Sequence, residues 1–443
     1  MQNLDAQDPL FWRILCLLLI RTISMHHYDL CVVGAGVGGL YAAYEWRKVN
    51  PAQRVIVLEA SEQAGGRLAM ARFGGTDILL GAGIGRKEKD FRLTKLIKEL
   101  GMDTHVFERN VYYGPGVVPG VMKEDIQALE AAVGGDSGGG GRSLSFGELA
   151  RRTLGRQKAD ALMKSMGYTD MVKESAREVL LNYGLDDNYK GTADAHGISI
   201  NWHDLTRALV KAIGPKRFMY QTPVVEIGDG ATGAMAALGG DYKIVKTPFG
   251  NLAAKQVIVA TTLPTLKKLF PRVREYRMLE SQPFLRVYAK FPMSMRSIMS
   301  SVVEGYTVVR PPLQKIIPMN PEKGVYMIAY SDNVHANRLE TYARESTPAN
   351  CNFFARLVET ALGLPKMALS ISSIRAKFWD VGTHFVKPGG GADTVGGADD
   401  FFERCRNPMP GVCVVGEAVS QHHRGWVEGA LESVGALRNF RNS

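Results

Sequence analysis

Short unbroken apolar runs recur along the chain, separated by stretches whose apolar positions follow a helical period. Leu30–Val33 and the run inside RVIVLEA (54–60) are rich in β-branched residues and uninterrupted, as parallel strands buried on both faces should be. KQVIVATT (255–262) and Val412–Val415 have the same character, so the chain returns late to the sheet in which it began. Between the first two runs the pattern predicts a helix from about Leu40 to Lys48. A second helix is predicted from about Asp90 to Leu100, where Leu93, Leu96, Ile97 and Leu100 recur at i, i+3, i+4 and i+7 and Gly101 stops it. Residues 145 to 190 read as helical, with Met163, Met166 and Met171 on apolar positions that are core packing or a wall for a greasy substrate. HGISINWHDLTRALVKAIG (196–214) predicts a loop and an amphipathic helix ending at Gly214, followed by strands at VVEI (224–227) and DYKIVKT (241–247). The alternating segments FLRVYAKF (284–291) and GVYMIAYSD (324–332) predict an antiparallel sheet in a second domain. A helix around Cys351 to Leu362 and a last one from about Trp426 complete the pattern.

The turn after the first strand carries the strongest chemical signal. YDLCVVGAGVGGLYAAYEW (28–46) places Gly34, Gly36 and Gly39 in GxGxxG spacing between a buried strand and a helix start. A flexible turn would account for the composition alone. The strand–turn–helix setting points instead to a dinucleotide: Gly34 permits the tight turn, Gly36 lets a pyrophosphate reach the main chain, and Gly39 lets the helix pack close. The phosphates would meet the positive end of that helix. Glu59, at the tip of the second strand and twenty residues beyond Gly39, suits a ribose hydroxyl and would repel a 2′-phosphate.

At 443 residues the chain suits two domains, and 45% apolar with 22% charged residues describes a globular protein. Its five cysteines are scattered without a CxxC pair and its nine histidines show no metal-ligand spacing, so no disulfide framework and no metal site is expected. The net charge of +10 comes from Lys and Arg interleaved with acids, which fits a solvated basic surface and no nucleic-acid partner. GGDSGGGG (134–141) reads as an exposed linker. Residues 1–24 hold an apolar stretch too short to span a bilayer, flanked by Arg13 and Arg21, and Met25 stands where the domain proper should begin. They are read as an extension to a cytoplasmic protein, with a weak membrane contact through residues 10–20 as the alternative.

Four segments in order, VVGAGVGGL…VIVLEA, GGRL, TPVVEI before VIVATT, and VVGEAVS…GWVEGALES, resemble the flavin-containing amine oxidase superfamily. This resemblance implies an α/β fold: a Rossmann-type FAD-binding domain of GR2-like, p-hydroxybenzoate-hydroxylase topology with a second α+β substrate domain. Residues 25–90, 196–270 and 375–443 would form the first, and 91–195 and 271–374 the second. It implies FAD, held non-covalently because no cysteine lies between Cys351 and Cys405. By the same resemblance Gly34, Gly36, Gly39, Gly66 and Arg67 face the diphosphate, Glu59 and Ala60 the adenosine ribose, and Val224 the adenine. Gly81, Ala82, Trp379, Gly416, Glu417, Trp426 and Val427 would lie along the flavin side.

The implied activity is oxidation of the C–N bond of a small-molecule amine or amino acid, hydride passing to flavin N5 and O2 giving H2O2. Trp426 would form a cage wall, Arg286 would stand where many relatives place a lysine, and His422 would be the first of three candidate pocket histidines, with His384 and His423. An arginine is a poor base but can anchor water or an anionic group. Gln63, Leu80 and Arg286 depart from the family pattern. Two further readings follow from these features: a desaturase or isomerase of a lipophilic carotenoid- or porphyrinogen-like substrate, and an FAD-binding protein that has lost catalysis. Substrate and oligomeric state are not legible.

Overall fold

The structure is a computed structural model that describes residues 26–118, 122–135, 143–182, 196–230 and 242–437; the extension 1–24 lies outside these. A seven-stranded sheet is assembled from three distant stretches of chain. Its centre is His26–Val33, parallel to Gly250–Val259 on one side and to Val55–Leu58 on the other. Val55–Leu58 continues to Phe218–Met219, and Val412–Val414 pairs in parallel with the end of Gly250–Val259. Lys243–Thr247 and Glu226–Asp229 extend the sheet antiparallel.

Both faces are covered, which is why the central strand is apolar without interruption. Leu30 and Val32 face a core with Trp46, Trp202, Leu209 and Leu431, carried by the helices Val37–Val49, Trp202–Ile213 and Val427–Gly435. Cys31 and Val33 face the opposite core, with Leu263, Phe401, Phe402 and Cys405. Phe91–Glu99 buries Leu93, Leu96 and Ile97 in the first of these cores.

A six-stranded sheet forms the second domain, in the order Ser373–Val386, Leu279–Lys290, Val325–Asp332, Lys315–Asn320, Tyr306–Val308, Val111–Tyr113. Leu279–Lys290 runs antiparallel to both of its neighbours. Helices Asn333–Ala343 and Pro348–Leu362 cover it through Leu339, Phe354 and Val358. A small helical layer, Met122–Gly135, Phe146–Leu154, Arg156–Met166 and Ala176–Asn182, has its own core.

Several boundaries differ from expectation. Ser373–Val386 belongs to the second sheet, where it runs antiparallel to Leu279–Lys290, so the chain returns to the nucleotide domain after Val386 and not at 375. Phe91–Glu99 packs with the nucleotide domain, so residues 91–99 belong there. The helical stretch from 145 is broken at Gly155 and Gly167, both at positive φ. Met166 and Met171 are buried in the helical core, which settles their role as packing. Val224 and Val225 precede the strand Glu226–Asp229 and are not part of it. The linker GGDSGGGG overlaps the end of Met122–Gly135, and residues 136–141 lie outside the described part. Among the described residues no helix is long and apolar enough to cross a membrane, and no group of three or more His, Cys, Asp or Glu could hold a metal ion.

Candidate functional site

Three glycine-bearing turns converge at the start of Val37–Val49, and their glycines are required for different reasons. Gly34 has φ +100° and a Cβ there would lie 2.2 Å from the Ala260 carbonyl oxygen, so the fold itself demands it. A Cβ on Gly39 would lie 2.0 Å from the Gly34 carbonyl oxygen, the close strand–helix packing that the third glycine allows. Gly36 is different. Its φ is −69°, and a Cβ there would meet no atom within 4 Å. Neither backbone nor packing asks for glycine, and the open space lies at a helix N-terminus with no side-chain cap and no acid in its first turn. Gly66, at φ +55°, places its own missing Cβ 3.2 Å from Gly36 Cα, and the missing Cβ of Gly38 lies 3.6 Å from Gly416 Cα. An open cradle of this kind could hold an anion such as a diphosphate.

Glu59 turns its carboxylate toward that cradle. Oε2 accepts from the Ala35 N–H at 2.7 Å, and Oε1 accepts from the Ser61 N–H and hydroxyl at 2.9 and 2.8 Å. Ala60 beside it is exposed, and Val224 is half-buried against the far core of the sheet.

Beyond the cradle lies a buried ionic cluster. Gly81 is a glycine because a Cβ would lie 1.8 Å from the Arg67 carbonyl oxygen, and the Ala82 N–H donates to that oxygen at 2.9 Å. The Arg67 guanidinium donates to Glu417 Oε1 at 2.8 Å and to the Gly382 carbonyl at 2.7 Å. His384 Nδ1 lies 2.5 Å from the same Glu417 oxygen, and the Gly425 N–H donates to Oε2 at 3.1 Å. Burial opposes ionisation of Glu417, yet His384 and Arg67 together hold its carboxyl well below the usual carboxylate range. His384 Nε2 is buried without a hydrogen-bond partner among the described residues.

On the side of the second sheet, Arg286 is buried and donates to the Leu79 carbonyl at 2.8 Å. The strand register sets it opposite Tyr330, with its guanidinium 4.5 Å from that ring's centroid. Burial disfavours its charge, but Tyr330 and Tyr288 outweigh this and push its pKa further up, so it stays a cation. Trp379 donates from Nε1 to the Leu80 carbonyl at 2.7 Å, and Lys377 lies 4.4 Å from its ring centroid. Leu79–Leu80 thus joins Arg286 and Trp379. Trp426 has Arg86 at 4.1 Å over its ring, and Arg86 is held by Asp90 at 2.8 Å. Val427 opens the helix Val427–Gly435. His422 is not gathered with these: it is exposed, with its ring 6.4 Å from that of His423. Sequence reasoning missed Tyr330, which the register of the two antiparallel strands would have found, and Lys315. The latter is buried, with Nζ 3.2 Å from the Tyr168 ring centroid, and burial brings its pKa down to about 7.

Residues 32–100 match the family model of an NAD(P)-binding Rossmann-like domain. Residues 173–434, more than half of the chain, match that of flavin containing amine oxidoreductases. The chain belongs to this family. As a flavin amine oxidoreductase it is an FAD-dependent oxidoreductase, and the open space at Gly36 fits the nucleotide that such enzymes bind. No curated protein sequence matches it. Solved structures do: putrescine oxidase bound to putrescine, at 16% identity and TM-score 0.70, covers 92% of this chain and 97% of its own. Cyclohexylamine oxidase from Brevibacterium oxydans, at 17% and 0.70, covers 92% and 97%. A candidate protoporphyrinogen oxidase from an Exiguobacterium species, at 17% and 0.66, covers 93% and 97%. At such identities the likeness establishes the shared fold of these flavin amine oxidoreductases.

Proposed function

We propose that this enzyme oxidises the C–N bond of an amine bearing a carboxylate, with non-covalent FAD and with O2 as electron acceptor. The observation that carries the cofactor reading is Gly36, a glycine that neither its φ nor its packing requires, beside open space at a helix N-terminus. When bound, the flavin supplies a two-electron acceptor for the substrate carbon and returns the electrons to O2 as H2O2. Gly36, Gly66 and Gly416 would admit its diphosphate, Glu59 its adenosine ribose, and the Arg67 guanidinium its anionic oxygens. Cysteine chemistry supports a non-covalent link: Cys405 is buried in the far core of the sheet and burial pushes its thiol up.

The substrate preference rests on what already covers the aromatic faces. A cage that binds an ammonium needs free ring faces. Here Arg86 occupies a face of Trp426 and Arg286 a face of Tyr330. Asp90 neutralises Arg86, and the buried Arg286 guanidinium is the cation that would repel a polycation and attract a carboxylate. Arg286 would anchor that carboxylate or a water and would not act as a base, since it does not give up its proton.

The test is anaerobic bleaching of the flavin absorbance by a panel of amino acids, polyamines and polyenes, followed by a peroxide-coupled assay in air. Bleaching by amino acids with peroxide release is expected. Turnover of spermine with no response to any amino acid would overturn the substrate preference. Bleaching by a polyene without peroxide would replace the reaction with desaturation.

A further inference from the structure

Gly81, Gly83 and Gly85 alternate along the segment that runs from the strand Thr76–Leu79 into Gly85–Arg86. A Cβ on Gly81 would strike the Arg67 carbonyl oxygen, and one on Gly85 would lie 3.2 Å from the Ile200 and Leu93 side chains, so packing asks for both glycines. Gly83 has neither reason. Its φ is not positive, and a Cβ there would meet a single atom within 4 Å among the described residues, Arg286 Nη2 at 3.4 Å, an ordinary contact distance. Trp202 fixes the place of this gap by donating from Nε1 to the Gly83 carbonyl at 3.2 Å. Gly83 itself is half-buried, and the room it leaves is faced by the guanidinium.

The charges at this place do not balance. A buried cation is ordinarily paired with an acid, yet among the described residues Arg286 has no ion pair; it donates to the Leu79 carbonyl and lies over Tyr330. The strand register sets a second cation, Lys377, directly opposite it, and cross-strand partners present their side chains on one face. Lys377 lies over the Trp379 ring and also has no ion pair among the described residues. Like charges so placed destabilise a sheet unless an anion comes between them. Of the other cations on these strands, Lys315 is close enough that Arg286 helps to bring its pKa down, and Arg375 donates to the Arg72 carbonyl at 3.1 Å. The neighbouring carboxylates are engaged elsewhere. Asp332 accepts from the Thr169 N–H at 2.7 Å and from Gln314 at 2.9 Å, Asp77 pairs with Arg72 at 3.1 Å, and Asp380 is exposed and accepts from the Val381 N–H at 3.0 Å.

We propose that Gly83 is a specificity-determining residue: the space left by its missing side chain is where the substrate's carboxylate reaches Arg286 Nη2, with Lys377 as the second cation of the site. A carboxylate offers two oxygens, one to each cation, and its charge supplies what the sheet lacks. This inference rests on the reading that the substrate amine bears a carboxylate. It adds the residue that makes room for that group and the lysine that shares its charge.

Calorimetric titration of the FAD-loaded protein with benzoate and with neutral benzamide tests it, because neither compound has an amine to be oxidised. The wild type is expected to bind benzoate roughly tenfold or more tightly than benzamide, the worth of a charge-assisted contact. Gly83→Ala should remove most of that preference, while its affinity for FAD stays within about twofold of the wild type, as for a methyl entered into open space. Lys377→Gln should weaken benzoate by roughly three- to tenfold, the loss of one partner of a charge pair. No preference for benzoate in the wild type overturns the proposal, as does a preference kept intact in Gly83→Ala. A fall in FAD affinity in Gly83→Ala with benzoate binding unchanged would give the space to the flavin and overturns it too. If Gly83→Ala does not fold, Lys377→Gln and Arg286→Gln decide, and an unchanged preference in both overturns it. The two readings fail separately: a benzoate preference lost in Gly83→Ala, in a protein whose flavin no amino acid bleaches, would keep this site and sink the reaction, whereas bleaching by amino acids without a benzoate preference would keep the reaction and sink the site.

Discussion

Alanine at Gly34 and alanine at Gly36 separate two reasons for a missing side chain. At Gly34 the new Cβ would meet the Ala260 carbonyl oxygen on a backbone at φ +100°, so Gly34→Ala should lose several kcal/mol of stability, about the cost of strain plus overpacking. At Gly36 the methyl enters open space at an ordinary φ. Gly36→Ala is therefore expected to leave the melting temperature of the apoprotein within about 1 °C, a surface-like change. Its FAD affinity should nonetheless fall by roughly tenfold or more, the cost of obstructing a charge-assisted contact. Thermal melts of the two apoproteins and fluorescence titrations with FAD check both halves. The sequence shows the spacing of these glycines but not which one the fold needs. Glu59 was legible for the same local reason, since its place depends on one strand–turn–helix unit. The meeting of Arg67, Glu417 and His384 was not, because those residues are brought together only when two sheets assemble.

Elements with local capping or alternation signals were readable, and their ends were set by contacts a single stretch does not reveal. Ser145 and Glu148 form a capping box at the start of Phe146–Leu154: the Ser145 hydroxyl accepts from the Glu148 N–H at 3.2 Å, and the Glu148 carboxylate accepts from the Ser145 N–H at 2.9 Å. Ser145→Ala should cost about 1 kcal/mol in denaturant unfolding without altering flavin affinity. The buried Glu174 between these helices and the Arg424 loop gives a pH-dependent counterpart. Burial, reinforced by Asp170 and Glu178 against the opposing pull of Arg424, raises its pKa to about 8. A raised carboxyl leaves stability intact below the unfolded value near 4.5, and stability is lost as pH climbs through 8, because the unfolded chain ionises the group and the folded chain resists. Glu174→Gln should therefore be more stable than the wild type near pH 8, by on the order of 2 kcal/mol, with the gap closing toward acid. Melts of both proteins across that range would refute this if the gap stayed constant. Nothing in residues 170–178 as a sequence shows that three carboxyls there are buried together.

For the molecule as a whole, the apolar strand pattern was enough to show a nucleotide sheet returning late in the chain, because buried parallel strands carry their signature in themselves. The boundary near 375 was placed too early because Ser373–Val386 carries no unbroken apolar signature of its own; its pairing with Leu279–Lys290 assigns it to the second domain. That pairing also builds the proposed substrate side, aligning Phe284 with Trp379 while the opposite neighbour aligns Arg286 with Tyr330. Arg286→Gln probes the result. The Leu79 carbonyl keeps the Tyr288 hydroxyl as a donor, so the segment retains a tie when the guanidinium is gone. With one fixed cation removed and a ring face of Tyr330 uncovered, KM for a carboxylate-bearing amine should rise by roughly 10- to 100-fold, the worth of a charge-assisted pair. Amines without a carboxylate should be unaffected or better used, since the freed ring face can accept an ammonium. Steady-state kinetics on matched substrates with and without the carboxylate measure the difference directly. An equal loss of kcat on both would mean that Arg286 serves the reaction centre and not substrate choice, because an interaction made only with the carboxylate cannot slow a substrate that lacks one.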